Sequence, residues 1–248
     1  MAHERAHCLN SENSIAMNAP IVQSTNGVTL VGGGPVSQAE WRLATARAPR
    51  ILAADSGADR ALAAGYLPEA VVGDFDSISR GAQARLGADR LFPIREQMTT
   101  DFDKALRSVD APFTLALGFT GARVDHGLAV FNSLVRHADR RCIVIGPRDV
   151  IFHAPPRLTL AMHPGDRLSL FPMAPVTGRS TGLEWPIDGL DFSPSGLIGT
   201  SNRVTTPLVE LDMDGPGMLV ILPRVRLDAA LKSLLGEGWQ PPAALPGR

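Results

Sequence analysis

The stretch AVVGDFDS, residues 70–77, places a glycine and two aspartates directly after a short apolar run. Similar runs rich in Val, Ile and Leu, each leading into Gly or Asp, occur at four other places: VTLVGGG (28–34), ILAADSG (51–57), FTLALGFTG (113–121) and RCIVIGP (141–147). Helix-like segments lie between these runs. Buried strands that alternate with helices predict an α/β fold, in which an N-terminal, mostly parallel sheet is flanked by helices in a Rossmann-like arrangement.

The second part of the chain, beginning near Pro155, has a different pattern. Helical periodicity is lost, and short β-type stretches alternate with Gly and Pro, as in RLTLAM (157–162), LVELDM (208–213) and GMLVILP (217–223). This pattern predicts a C-terminal antiparallel β-sandwich domain. We therefore predict a polar flexible tail at 1–26, an α/β domain at 27–153 and a β-sandwich domain at 154–248.

The composition excludes several classes of protein. The 248 residues carry 24 basic and 25 acidic side chains, a net charge of -1, without a basic stripe, so nucleic-acid binding is not expected. The two cysteines, Cys8 and Cys142, are too few for a disulfide framework. No apolar run approaches the ~20 residues that span a bilayer, and the first residues lack the apolar core of a signal peptide. We predict a cytoplasmic protein that does not bind membranes.

Three carboxylates follow predicted strands: Asp55, Asp74 and Asp76. Ligands of an open α/β sheet bind outside the carboxyl ends of its strands. In an extended segment Asp74 and Asp76 would point the same way and could face one Mg²⁺ ion, which prefers oxygen ligands. The alternative for these residues is an ordinary turn.

Two further acidic stretches precede predicted helices. In MTTDFDKAL (98–106), Asp101 could complete a metal site, and Lys104, on the same helical face, could neutralise a phosphate. Alternatively, Asp101 only favours the dipole of a helix capped by a threonine. In GFTGARVDHG (118–127), a Gly-rich turn, an arginine and a helix start form a natural anion site, or else a simple helix cap. The glycines of VGGGP (31–35) would let a phosphate or ribose approach the backbone, but a tight turn explains them equally.

Taken together, these stretches resemble the thiamine pyrophosphokinase family. The motifs GGGP, ADSGAD, GDFDS, TTDFDKAL, GARVDH, STGLEW and TSNRV occur in that family's order, from Val28 to Arg224. The resemblance implies an α/β ATP-binding catalytic domain followed by a thiamine-binding β-sandwich. It also implies homodimers with active sites at the subunit interface, and transfer of the pyrophosphoryl group of ATP to the hydroxyl of thiamine.

The resemblance also implies roles for individual residues. It implies catalytic, magnesium-binding carboxylates at Asp74, Asp76 and Asp101. The residues around ATP would be Gly33, Gly34, Asp55, Arg123, Asp125 and His126. Of these, Arg123 is also predicted to be catalytic, because it could offset charge that develops towards AMP. The residues around thiamine would be Gln97, Ser180, Trp185, Ser201 and Asn202, those of the sandwich serving the partner's active site.

The sequence departs from the family pattern at Glu96-Gln97-Met98, where the family often has Asp-Gln-Asp. Met98 is a poor Mg²⁺ ligand, so the metal site could use fewer carboxylates. Two alternatives stay open on this basis. One is pyrophosphoryl transfer to another alcohol, such as a pterin alcohol, with the same ATP half. The other is a nucleotide- or thiamine-binding regulator with weakened catalysis.

Overall fold

The computed structural model describes residues 19–242. The helices in this range are α1 (Gln38–Thr45), α2 (Gly57–Ala63), α3 (Arg80–Leu86), α4 (Asp101–Arg107), α5 (Val124–Arg136) and α6 (Leu227–Leu235). The strands are β1 (Val22–Gln23), β2 (Val28–Val31), β3 (Arg50–Ala54), β4 (Ala70–Gly73), β5 (Leu91–Pro93), β6 (Val109–Asp110), β7 (Thr114–Leu117), β8 (Cys142–Ile145), β9 (Asp149–His153), β10 (Arg157–Ala161), β11 (Arg167–Pro172), β12 (Gly178–Thr181), β13 (Gly199–Arg203), β14 (Leu208–Met213) and β15 (Met218–Pro223). Within residues 19–242, no helix is both long and apolar enough to cross a bilayer.

The N-terminal part of the fold is the predicted parallel sheet. Its strands run in the order β8-β7-β2-β3-β4-β5, and each neighbouring pair is parallel. Every residue of β2, β4, β7 and β8 is buried, as expected for strands covered by helices on both faces. The edge strand β5 was not predicted, because its three residues are only half-buried or exposed and form no long apolar run.

The C-terminal part is the predicted antiparallel sandwich, but it is not a separate sheet system. Strands β9, β15, β11 and β13 continue the large sheet beyond β8 with antiparallel pairing, giving ten strands in all. A second antiparallel sheet, β10-β14-β12, packs against this extension. The two sheets share one apolar core, with Leu158 and Val209 from one sheet and Leu170 and Val220 from the other. The predicted fold class is confirmed.

The predicted boundary between residues 153 and 154 falls at the end of β9. That strand pairs with β8 on one side and β15 on the other, so the two predicted domains share a continuous sheet. Residues 1–18 of the predicted tail lie outside the described residues. In the described remainder, β1 pairs with β6 and Val22 is buried, so residues 19–26 differ from the predicted flexible tail. The sequence does not reveal this pairing because its partner lies far along the chain.

The parallel arrangement determines where the candidate site lies. Because β2, β3, β4 and β7 run in the same direction, the loops that follow them meet at one edge of the sheet. Those loops begin at Gly32, Asp55, Asp74 and Gly118. This edge therefore brings together most of the motifs that the sequence analysis identified.

Candidate active site

Three carboxylates converge at this edge of the sheet. Asp55 follows β3, Asp74 follows β4, and Asp101 is the first residue of α4. Carboxylate oxygens of the three residues lie within 4.8 Å of one another. Three negative groups this close repel each other unless a cation balances them.

Asp55 is the most buried member of this cluster, with 1% of its surface exposed. Its backbone has a φ of 45°, which turns the chain sharply at the strand end. Oδ2 accepts a 3.4 Å hydrogen bond from the Ser77 amide, whereas Oδ1 is buried without a hydrogen-bond partner. Burial, together with the charge of Asp101, raises the pKa of Asp55 to about 6. A buried carboxylate oxygen without a partner, facing two other carboxylates, fits a hard divalent cation.

Lys104 supplies positive charge to the same cluster. Its buried ammonium Nζ lies 3.5 Å from Asp101 Oδ1 and 4.0 Å from Asp74 Oδ2. Burial raises the pKa of Asp101, and the nearby Lys104 only partly offsets this rise. For Asp74 burial acts in the same direction, but a hydrogen bond from Gln97 and the charge of Lys104 hold its pKa below the ordinary value. One ammonium cannot balance three carboxylates, so the cluster retains affinity for a further cation.

Asp76 lies at the margin of this cluster. In an extended chain, Asp74 and Asp76 would point the same way, as predicted above. Phe75 instead has a left-handed backbone with a φ of 65°, which breaks the alternation of side chains. The Asp76 carboxylate accepts a 2.7 Å hydrogen bond from Ser77 Oγ. Asp76 lies close enough to Asp55 to contribute to the raised pKa of Asp55. The residue that groups with Asp74 and Asp101, however, is Asp55, in the position that was predicted for Asp76.

A cavity of about 270 Å³ adjoins the cluster. Its wall includes Gly33 and Gly34 after β2, Gly118 after β7, and Asp101. The Gly34 amide donates a 2.8 Å hydrogen bond to the Gly118 carbonyl, and a Cβ on Gly34 would lie only 2.6 Å from that oxygen. The close approach of the two loops therefore requires glycine at position 34. The absence of side chains also leaves backbone surface open to a ligand.

The start of α5 borders the same cavity. Arg123 occupies the N-cap position, and Arg123 and His126 both line the cavity. Asp125 accepts a 3.1 Å hydrogen bond from Arg123 Nε and a 3.0 Å bond from the His126 amide. The hydrogen bond and charge of Arg123 hold the pKa of Asp125 below its ordinary value. Asp125 thus orients Arg123, while Arg123 and His126 are the groups that could meet an anion.

The structure adds cavity residues that the sequence analysis missed. Ser56, Ser77, Thr100 and Phe119 also line the wall. Each directly neighbours a residue or motif that was singled out, so adjacency to a strand end was the available signal. Their side chains alone carry no distinctive pattern.

The departure from the family pattern, Glu96-Gln97-Met98, contributes one contact to the cluster. Gln97 Nε2 donates a 3.3 Å hydrogen bond to Asp74 Oδ2. The Met98 residue is 89% exposed, and Glu96 forms an ion pair with Arg107 rather than joining the carboxylates. Asp55, Asp74 and Asp101 therefore gather without any acidic residue from this stretch.

The predicted thiamine residues of the sandwich lie near one another. Asn202 holds the loop between β12 and β13 at Trp185. Its side chain accepts a 3.2 Å hydrogen bond from the Trp185 amide and donates a 2.6 Å bond to the Trp185 carbonyl. Ser180 Oγ accepts a 3.1 Å bond from the Ile187 amide of the same loop. Trp185 remains 54% exposed, and Ser201 is exposed with a φ of 61°. Asn202 thus supports a surface that presents Trp185 and Ser201.

This surface does not meet the acidic cluster within one chain. Strand β13, which carries Ser201 and Asn202, is at one edge of the large sheet, and seven strand spacings separate it from β3. At about 4.8 Å per spacing, the distance across the sheet is roughly 34 Å. Of the predicted thiamine residues, only Gln97 reaches the cluster in the same chain.

Comparison with known proteins identifies two matching domain models. The model described as thiamin pyrophosphokinase, catalytic domain, matches residues 41–145, and that described as thiamin pyrophosphokinase, vitamin B1 binding domain, matches residues 156–216. The chain is 30% identical over 168 residues to thiamine pyrophosphokinase 1 of Oryza sativa subsp. japonica, covering 60% of this chain and 64% of the relative. It is 27% identical to thiamine pyrophosphokinase 1 of Arabidopsis thaliana over 168 residues, covering 60% and 63%. The match thus spans a little under two thirds of these relatives.

Solved structures share the fold at lower identity. Thiamin pyrophosphokinase from Candida albicans superposes with a TM-score of 0.66 at 17% identity, covering 79% of this chain and 90% of that one. Thiamine pyrophosphokinase from Bacillus subtilis gives a TM-score of 0.64 at 21% identity, covering 79% and 98%. At such identities the likeness establishes the fold alone.

Proposed function

This chain belongs to the thiamine pyrophosphokinase family, and we propose on this premise that it transfers the pyrophosphoryl group of ATP to the hydroxyl of thiamine. The products would be thiamine diphosphate and AMP. The observation that carries the proposal is the convergence of Asp55, Asp74 and Asp101 beside a glycine-walled cavity at the carboxyl ends of parallel strands. A cytoplasmic location, where ATP is available, is part of the same proposal.

The donor set fits Mg²⁺, because it consists of carboxylate oxygens and because Asp55, one of its members, has a buried Oδ1 without a hydrogen-bond partner. We propose that Asp74 and Asp101 hold the ion as the family pattern implies, with Asp55 as the third carboxylate and Asp76 at the margin of the site. When bound, Mg²⁺ would neutralise the charge of the phosphates.

The protein's own residues would position ATP and stabilise the departing group. The thiamine oxygen forms a bond to the β-phosphorus while the bond from that phosphorus to the oxygen of AMP breaks, and the hydroxyl proton is released. Such transfers depend mainly on alignment and charge neutralisation. Gly33 and Gly34 would let the nucleotide approach the backbone, and Arg123, His126 and Lys104 would offset negative charge.

Thiamine would be held by the sandwich surface of a second subunit. The roughly 34 Å across the sheet between β13 and β3, the strand that Asp55 follows, supports this. At that separation one chain cannot bring its sandwich residues, Ser180, Trp185, Ser201 and Asn202, to its own cluster. A homodimer with active sites at the interface would join the two halves. The exposed ring of Trp185 could face the cationic thiamine, an attraction worth about 0.5–2 kcal/mol.

Two other functions remain as alternatives, transfer to a pterin alcohol and regulation without catalysis. Three incubations with ATP and Mg²⁺ distinguish these functions. One contains thiamine, one contains a pterin alcohol, and one contains no acceptor. We expect AMP release only with thiamine. Release with the pterin alcohol alone would support the second acceptor, and thiamine binding without AMP release would support the regulator.

A further inference from the structure

Helix α4 has a second set of charged residues on a different face from Asp101 and Lys104. Asp103, 2% exposed, is surrounded by three basic groups. Its carboxylate lies 3.4 Å from Arg107 Nε, 3.2 Å from Arg136 Nη1 and 3.2 Å from His137 Nε2. Arg136 ends α5, whose first turn borders the candidate ATP cavity. Asp103 therefore ties together the two helices that provide Asp101 and Arg123.

Arg107 extends this set to the loop before α4. Its Nη2 forms an ion pair with Glu96 and lies 3.3 Å from Thr99 Oγ1. The same loop carries Gln97, which donates a hydrogen bond to Asp74. One guanidinium at the end of α4 thus holds the loop that leads into the start of α4.

The net stability that these ion pairs provide does not explain why a charged Asp103 is buried here. Burying a charged network gives little or no net stability compared with apolar residues of similar volume. The network does fix the register of three segments, namely the loop 94–100, α4 and α5. All three contribute groups to the acidic cluster or its cavity.

We propose that Arg107 and Asp103 are positioning residues, which act through the loop and helix to hold Gln97, Asp74 and Asp101 in the geometry that binds a divalent cation. This inference rests on the proposed function only in assuming that the cluster binds such a cation. It assigns no contact with ATP or thiamine to either residue.

The test measures the dissociation constant of Mn²⁺, by the loss of its free-ion EPR signal, for wild type and Arg107→Met. We expect Arg107→Met to weaken Mn²⁺ binding by about tenfold, as loss of groups that orient ligands typically does. Arg107→Lys should recover part of the affinity, because one ammonium can meet Glu96 or Asp103 but lacks the fork that meets both.

The matched control is Arg47→Met. Arg47 forms a two-point ion pair with Asp228, at 2.5 and 2.8 Å, which joins α1 to α6 away from the cluster. Its loss should lower the melting temperature without changing Mn²⁺ affinity. If Arg107→Met does not fold, Glu96→Ala removes the loop end of the network at a partly exposed position and should also weaken Mn²⁺ binding.

Unchanged Mn²⁺ affinity in Arg107→Met would overturn the proposal. If Arg107→Met does not fold, unchanged affinity in Glu96→Ala would do the same. A wild-type protein that binds no Mn²⁺ would also overturn it. Because metal binding is measured without turnover, this outcome is distinct from failure of the reaction. A wild-type protein that binds Mn²⁺ but releases no AMP would contradict the proposed function and leave the positioning role standing.

Discussion

At the scale of single residues, Asp74 and Asp101 come from different chain segments but share the ammonium of Lys104. We expect Asp101→Asn to lower kcat by roughly 100-fold or more, because the proposed cation that would neutralise the phosphates loses a carboxylate ligand. The melting temperature should not fall, since the change removes repulsion among close carboxylates. Steady-state kinetics and thermal unfolding check both points, with the exposed Asp139→Asn as control. Near-normal kcat in Asp101→Asn would remove Asp101 from the mechanism.

The raised pKa of Asp55 makes a prediction about stability. Its value rises from 3.8 to about 6 because burial and the charge of Asp101 disfavour the carboxylate. The folded protein therefore holds the proton more tightly than the unfolded chain, and its stability is greatest below the unfolded pKa and declines as pH rises through the folded pKa. Asp55→Asn removes this decline, so its melting temperature should increasingly exceed that of wild type from pH 4 to above pH 6.

This comparison is made with a chelator present, because a bound cation would mask the repulsion. The exposed Asp191→Asn serves as control and should follow wild type at every pH. A difference between Asp55→Asn and wild type that does not vary with pH would contradict the assignment of the shift to Asp55.

The sequence identified the acidic residues, but not how they face each other. Asp55 and Asp74 were recognisable because apolar runs stop directly before them, and Asp101 because it stands at a predicted helix start. The direction of Asp76 depended on the backbone of Phe75, whose left-handed conformation no residue pattern indicates. The ion pair of Glu96 with Arg107 was equally hidden, because it joins residues 11 apart across a loop.

At the scale of elements, the glycine loop after β2 packs directly against the loop after β7, through the hydrogen bond from the Gly34 amide to the Gly118 carbonyl. We expect Gly34→Ala to destabilise the protein by about 1–3 kcal/mol, because its Cβ would meet the Gly118 carbonyl and backbone cannot yield easily. ATP affinity should fall as well, since both loops line the cavity. Chemical unfolding and nucleotide titration measure the two effects.

Gly81→Ala is the matched control for this substitution. Gly81 lies in α3, where an added Cβ comes no closer than 3.8 Å to its nearest neighbour. Alanine should stabilise this helix by about 0.5–1 kcal/mol. The loop-contact account would be contradicted if Gly34→Ala were as stable as Gly81→Ala.

The elements themselves were predictable to different extents. Strands such as β4 and β7, buried throughout, were evident as apolar runs, and RLTLAM showed the alternation of a half-buried strand. The short β1, β5 and β6 were missed because two or three residues contain no period. Their position is determined by pairing with distant segments, which local patterns do not encode.

At the scale of the whole molecule, the separation between cluster and sandwich surface predicts that activity requires the proposed dimer. Asp74→Asn and Trp185→Ala should each be poorly active at low thiamine concentration. In a mixed dimer, one of the two sites would combine an intact cluster with an intact sandwich surface. Random reassociation of equal amounts should therefore restore about one quarter of wild-type activity.

Co-expression of the two variants, without separation of the dimers, measures this recovery, and the purified mixed dimer should show about one half of wild-type activity. Separately purified variants that are mixed without exchange of subunits provide the baseline. Activity no higher than the mean of the two single variants would contradict an active site shared between subunits.

The sequence predicted the overall architecture, but it did not predict that one sheet continues from the N-terminal part into the C-terminal part. The predicted change to a β pattern near residue 155 lies within a run of strands, β8 to β15, that no helix interrupts. The continuous ten-stranded sheet was not foreseen, because strand order across β8 and β9 is a tertiary property. That continuity is what places the sandwich surface so far from the cluster of the same chain.

The fate of the β-phosphorus tests the central claim most directly. ATP labelled with ³²P at the β position is incubated with the protein, Mg²⁺ and thiamine, and the products are separated. We expect the label in thiamine diphosphate, formed in equal amount to unlabelled AMP, and lost in Asp101→Asn. Label in ADP, or unlabelled thiamine monophosphate as the product, would contradict pyrophosphoryl transfer.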